Sequence, residues 1–238
     1  MTTRLGSLNE FCWMDLKTRD LAGTATFFRK TLGWCFAVDE KDWRKATKIA
    51  IDGHLIGSVS DLANPVYPPG TPAHIAYYLA VDNVDRRAEA ATVNGARLVV
   101  PPFDAGDQGR MATLIDPVGA AFSLWQPRNF TGWQFPSPLG GAPHRMVLTC
   151  DQPEKALHFY GKTTGTPPDC ADFIAPCGPS ASVPRWELAV AVEDLDSVVV
   201  RAQEHGHDSA TWSKETGRRV ARLSSPEGLT FLVGSLDQ

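Results

Sequence analysis

Residues 110–124 read RMATLIDPVGAAFSL, and residues 219–233 read RVARLSSPEGLTFLV. Arg110 and Arg219, Ala112 and Ala221, Leu114 and Leu223, Pro117 and Pro226, Gly119 and Gly228, and Phe122 and Phe231 fall in register. A pattern that returns once, about a hundred residues further on, marks one supersecondary unit used twice. Each Pro-x-Gly is turn chemistry: proline presets φ and glycine accepts the left-handed region, as a hairpin between short strands requires.

The repeat extends backwards. AYYLAVDNVD (76–85) aligns with ELAVAVEDLD (187–196), an apolar strand-like run closing on acids, and each is followed by a helix-like stretch, 85–95 and 196–206. WMDLKTRDLAGTATFF (13–28) aligns with HRMVLTCDQPEKALHF (144–159), sharing an Asp placed to open a helix, Asp20 and Asp151, and a Phe on its inward face. Phe11, Trp13, Asp15 and Lys17 alternate with Cys12, Met14 and Leu16, the period of a strand. Asp20 stands where an N-cap belongs, Leu21, Thr24, Phe28 and Leu32 recur at helical spacing, and Gly33 suits the helix end. The expectation is a repeated βαβββ module. Residues 34–62 read as three strands, with turns at Glu40 and Lys41 and at Asp52 and Gly53. Their counterpart, 167–184, has room for one short strand among its turn formers, so the second half is abbreviated. Arg110 and Arg219 read as structural, pairing with Asp116 or with turn carbonyls.

At 238 residues the chain accommodates two domains, and the repeat supports two: 1–126 and 144–238, joined by a Pro- and Gly-rich linker at 127–143. The 23 Lys and Arg against 27 Asp and Glu, net charge -4, with no basic run, exclude a nucleic-acid footprint. No stretch approaches the roughly 20 apolar residues of a membrane helix. Cys12, Cys35, Cys150, Cys170 and Cys177 form no CxxC pair and leave one unpaired in any disulfide scheme, which fits a reducing, cytoplasmic location.

The Asp-opened helix with its aromatic face, the LGW at 32–34, VDNVD at 81–85 and GRMATLIDPVGAAFSLWQP at 109–127 together resemble the vicinal oxygen chelate superfamily, which includes glyoxalases, bleomycin-resistance proteins and extradiol dioxygenases. The resemblance covers essentially the whole chain and is closest to tandem two-domain bacterial members. It implies an α+β fold: tandem glyoxalase-like domains of paired βαβββ modules forming incomplete barrels, the second abbreviated.

In that family the enzymes hold a divalent metal through the opening strand, the fifth strand and the last strand. Carried to this chain, those positions are Trp13, Ala76 and Ser123 in the first half, none of them a ligand, and His144, Glu187 and Leu232 in the second. His144 and Glu187 are therefore the candidates for acid–base chemistry or for metal binding, although two ligands are too few for a tight site. Strand alternation puts Trp13, Asp15, Ala76, Tyr78, Ser123 and Trp125 on the concave face of the first half, with His74 at its mouth. Aromatic walls with few polar groups suit an organic ligand.

The reading is thus a protein that sequesters a small aromatic or amphipathic molecule, drug or metabolite, without a metal or other cofactor, acting as monomer or homodimer. The alternative is an enzyme of the same fold, a lyase, isomerase or hydroxylase, using His144 and Glu187 with or without a divalent metal.

Overall fold

The computed structural model describes residues 4–40, 45–176, 183–206, 211–215 and 218–236. The expected modules are present. The first is β1 (Phe11–Thr18), α1 (Leu21–Leu32), β2 (Cys35–Val38), β3 (Thr47–Ile51) and β4 (His54–Asp61). The second is β5 (His74–Ala80), α2 (Val84–Val93), β6 (Arg97–Asp104), β7 (Gly109–Ile115) and β8 (Ala121–Pro127). The third is reduced to β9 (Pro143–Thr149), α3 (Pro153–Thr164) and the short β10 (Ala171–Ile174). The fourth is β11 (Arg185–Val192), α4 (Leu195–His205), β12 (Thr211–Glu215), β13 (Arg218–Ser224) and β14 (Thr230–Ser235). The strands form two open sheets, ordered β2-β3-β4-β1-β5-β8-β7-β6 and β10-β9-β11-β14-β13-β12. This is the α+β architecture expected from the repeat. Lys41 and Cys177 lie outside the described residues, and among the described residues no helix is long and apolar enough to cross a membrane.

Local chemistry sets the element ends. The Asp20 carboxylate accepts from the Gly23 amide at 2.8 Å, and Gly33 closes α1 at φ 76°. The Asp52 and Gly53 turn has both residues at positive φ, 48° and 78°, the geometry whose twist matches a two-residue hairpin. Three details differ from the sequence reading. First, α2 and α4 are capped by Asn83 and Asp194, and the acids expected to begin them, Asp85 and Asp196, lie in the first turn. Second, Arg110 forks onto Asp85, with both nitrogens at 2.8 Å, and Arg219 reaches Asp196 at 2.7 Å, so the repeated arginines tie strand to helix and do not pair with Asp116. Third, α3 starts at Pro153 after Gln152, which makes no side-chain cap bond, and Asp151 is not the cap.

The contacts gather into two compact units. In the unit built from Met1–Trp13, Ala76–Gln134 and Arg145–Glu187, α2 packs on α3, and Phe122 lies 6.0 Å from Phe159 and 5.2 Å from Tyr160. Its centre holds a polar chain: Trp186 Nε1 donates to the Tyr160 hydroxyl at 2.7 Å, which donates to Asp116 Oδ2 at 3.0 Å. Asp116 Oδ1 accepts from the Val118, Gly119 and Ala120 amides, which shapes the Pro117 to Gly119 turn.

In the unit built from Met14–Ile75, Phe135–His144 and Leu188–Gln238, α1 packs on α4, and Phe28 stacks on Trp34 at 4.8 Å and tilts against Phe231 at 5.3 Å. Here the second Pro-Gly turn does more than reverse the chain. The Glu227 carboxylate sits on the start of α1, accepting from the Arg19 amide at 3.1 Å, the Asp20 amide and Thr24 Oγ1 at 3.3 Å, and the Thr18 hydroxyl. Orphan amides and the positive end of the helix dipole make that position favourable for a carboxylate.

Residues 128–142 contain no helix or strand. They are nevertheless docked. Trp133, only 2% exposed, donates its amide to Cys12 O at 2.7 Å, and at Gly132 (φ 87°) an added Cβ would meet that same carbonyl oxygen at 2.2 Å.

Candidate functional site

Asp15 and Lys17 are two apart on β1 and therefore share a face. Because β4 runs parallel with Asp15 opposite Ser58 and Lys17 opposite Ser60, two hydroxyls meet one carboxylate. Ser58 Oγ donates to Asp15 Oδ1 at 3.0 Å and Ser60 Oγ to Oδ2 at 2.7 Å. The Lys17 ammonium pairs with Asp15 Oδ2 and also donates to Ser60 Oγ at 3.1 Å and to the Tyr67 hydroxyl at 2.9 Å. On β3, Lys48 stands opposite Ser58 in register.

The Asp15 and Lys17 side chains are 8% and 12% exposed. Withdrawing two charges from water costs several kcal/mol per ion, and it is offset only where the remaining lone pairs and protons find partners, as they do here. Tyr67 comes from the loop after β4. Short turns hold that loop, with Asp61 accepting from the Ala63 amide at 2.7 Å and Asn64 from the Val66 amide at 3.1 Å, and Arg19 donates to Thr71 O at 3.0 Å.

Asp15 was expected on this face; Lys17, Ser58, Ser60 and Tyr67 as its partners were not. The two serines do carry a period-two signal around Val59. What no local pattern shows is that β4 returns beside β1, or that a loop tyrosine reaches over both.

The aromatic residues behave differently. Tyr78 pairs across β5 and β8 with Ser123, and Ala80 with Trp125. Trp13 and Trp125 are 6% and 7% exposed, and both meet the edge of Phe130, at 4.7 and 6.1 Å, while Trp125 Nε1 donates to Phe130 O at 3.0 Å. The two tryptophans are thus packed under a residue of the Pro- and Gly-rich segment, where an open wall was expected. Tyr78, partly exposed, lies edge-on to Trp125 at 6.3 Å, and Ala76 beside it is likewise half-buried. Ser123 Oγ is 2.9 Å from Thr113 Oγ1.

His74 is exposed at the start of β5. Its Nδ1 lies 2.9 Å from Pro72 O and so carries the proton in that pairing. His144 is exposed near the start of β9, and Glu187 is wholly buried on β11 with Arg185 Nε at 3.4 Å. Among the described residues no three His, Cys, Asp or Glu side chains converge as a metal site requires. In the first half, Trp13, Ala76 and Ser123 offer no anionic ligand, and the Asp15 carboxylate faces the ammonium of Lys17.

Residues 13–125 of this chain match the family model described as a glyoxalase-like domain. Its relatives include CFP32 of Mycobacterium tuberculosis, which carries a provisional glyoxylase name. That protein is 27% identical over 243 residues, covering 93% of this chain and 92% of the relative. The anthracycline biosynthesis protein DnrV of Streptomyces peucetius is 28% identical over 254 residues, covering 94% and 92%.

Among solved structures, the Mn(II)-bound glyoxalase of Novosphingobium aromaticivorans aligns with a TM-score of 0.64 at 13% identity, over 98% of this chain and 83% of that one. The 2,2',3-trihydroxybiphenyl 1,2-dioxygenase of Sphingomonas wittichii strain RW1 gives 0.59 at 15% identity, over 96% and 91%. At these identities the likeness is one of fold.

Proposed function

We propose that this protein binds a small aromatic or amphipathic organic molecule at the Asp15, Lys17, Ser60 and Tyr67 group of its glyoxalase-like domain, with no metal at that site. The carrying observation is the Lys17 ammonium seated on Asp15: an internal cation occupies the one carboxylate of this group. What remains is a set of oriented hydrogen-bonding groups, which fix the pose of an organic ligand and give it specificity. The anthracycline names of two relatives support a polycyclic ligand class. A catalytic pair of His144 and Glu187 has less support, because Glu187 is buried beside Arg185 and no third ligand-type side chain joins either residue among those described.

Calorimetric titration with polycyclic aromatic ketones and hydrocarbons, before and after exhaustive chelation, tests the proposal. Saturable binding that survives chelation is expected. Absence of binding, or binding that disappears with the metal, overturns it.

A further inference from the structure

Tyr67 is placed unlike the other members of its cluster. An ammonium can only donate, so in the 2.9 Å contact between Lys17 Nζ and the Tyr67 hydroxyl the phenol oxygen is the acceptor. Its own proton is therefore directed elsewhere, and among the described residues Lys17 is the only hydrogen-bond partner of that hydroxyl. Lys17 in turn is committed: its donors go to Asp15, Ser60 and Tyr67. Asp15 is saturated by Ser58, Ser60 and Lys17. The polarity of the whole group runs one way, from a buried carboxylate through an ammonium to a partly exposed phenol that still has a proton to give.

We propose that Tyr67 is a ligand-recognition residue that donates its hydroxyl proton to a carbonyl oxygen on the bound aromatic molecule, with Lys17 as its positioning partner. This rests on the reading that the protein binds an aromatic organic molecule, and it adds the functional group that the molecule carries. The chemistry selects an acceptor oxygen. A phenol already accepting from an ammonium is a stronger donor than a free one, because each hydrogen bond polarises the next. The polarised hydroxyl favours an oxygen that gathers negative charge, as that of a ring-conjugated ketone does. A hydrocarbon of the same shape leaves the proton without an acceptor.

The test is the ratio of affinities for 9-fluorenone and fluorene, two planar molecules of nearly the same outline that differ at the carbonyl. Wild type is expected to prefer the ketone by about tenfold, the worth of one well-made hydrogen bond. In Tyr67→Phe the ratio falls to about one, and in Lys17→Gln it falls part of the way. Each variant is first checked for an unchanged circular dichroism spectrum; Tyr67 is partly exposed, so removing its oxygen leaves no buried hole. If both probes bind wild type equally, or if the preference survives in Tyr67→Phe, the carbonyl assignment is overturned while aromatic binding stands. If neither probe binds, the proposed function falls and this inference with it.

Discussion

At the scale of single residues, the most consequential buried acid outside the proposed site is Asp116. Its burial pushes the carboxyl above the usual range, outweighing the three backbone amides and the Tyr160 hydroxyl that favour its ionised form. The same burial, reinforced by the nearby Asp116 charge, keeps the Tyr160 phenol well above its ordinary value and therefore neutral. The sign of the pH effect follows. When an acid's folded pKa is raised, the folded state holds its proton more tightly than the unfolded chain does, so stability is greatest below the ordinary carboxylate pKa. It declines as pH rises through the folded value.

Replacing Asp116 with Asn, which keeps an acceptor for the turn amides, should flatten that decline. Urea midpoints measured from acid to neutral pH check this, and a decline as steep in the variant as in wild type would mean that other groups control it. Residue chemistry of this kind was partly legible. Asp15 could be placed on its face by alternation alone, whereas the partners of Asp116 could not: Tyr160 and Trp186 are remote in sequence and come together only through packing.

At the scale of elements, capping shows how far local rules reach. Asp20 and Gly33 could be assigned from position and type because a cap is made within a few residues of itself. Asp151 looked equally suitable, but Pro153 takes the first helical position and pushes the cap onto Gln152, which makes no side-chain bond. The α3 helix therefore has an unfilled stabilising position. Gln152→Asp should raise stability by about 1 kcal/mol, read as a higher urea midpoint at unchanged slope; no change would show that the α3 amides are already satisfied in another way.

The parallel return of β4 beside β1, which sets Ser58 against Asp15, and the cover that Phe130 puts over Trp13 and Trp125 were not legible. Both depend on contacts made by segments whose local composition says only strand or loop.

At the scale of the whole molecule, the sheet edges are the exposed backbone to be managed. β6 ends the eight-stranded order, and it shows Leu98, Val99, Val100 and Phe103 at 37–46% exposure. An apolar edge of this kind is a template for another chain, but Pro101 and Pro102 supply no amides at its centre and its register with β7 slips at two places. Exchanging both prolines for threonine should restore the missing donors and produce concentration-dependent association. Light scattering across a dilution series reads this directly, and a mass that stays constant would show that the bulges alone protect the edge. The repeat made the overall architecture legible, since the same turn, arginine and phenylalanine recur at matched positions. It could not show which helices become neighbours, because each module's sequence is compatible with more than one partner.

The carboxylate of Glu227 on the start of α1 carries a consequence in time. The helix it completes is synthesised well before the residue that completes it, which lies 207 positions beyond Asp20. A growing polypeptide on the ribosome must therefore carry the start of α1 with those amides hydrated until that turn has been made. Premature termination anywhere before the turn would leave α1 without its final partner.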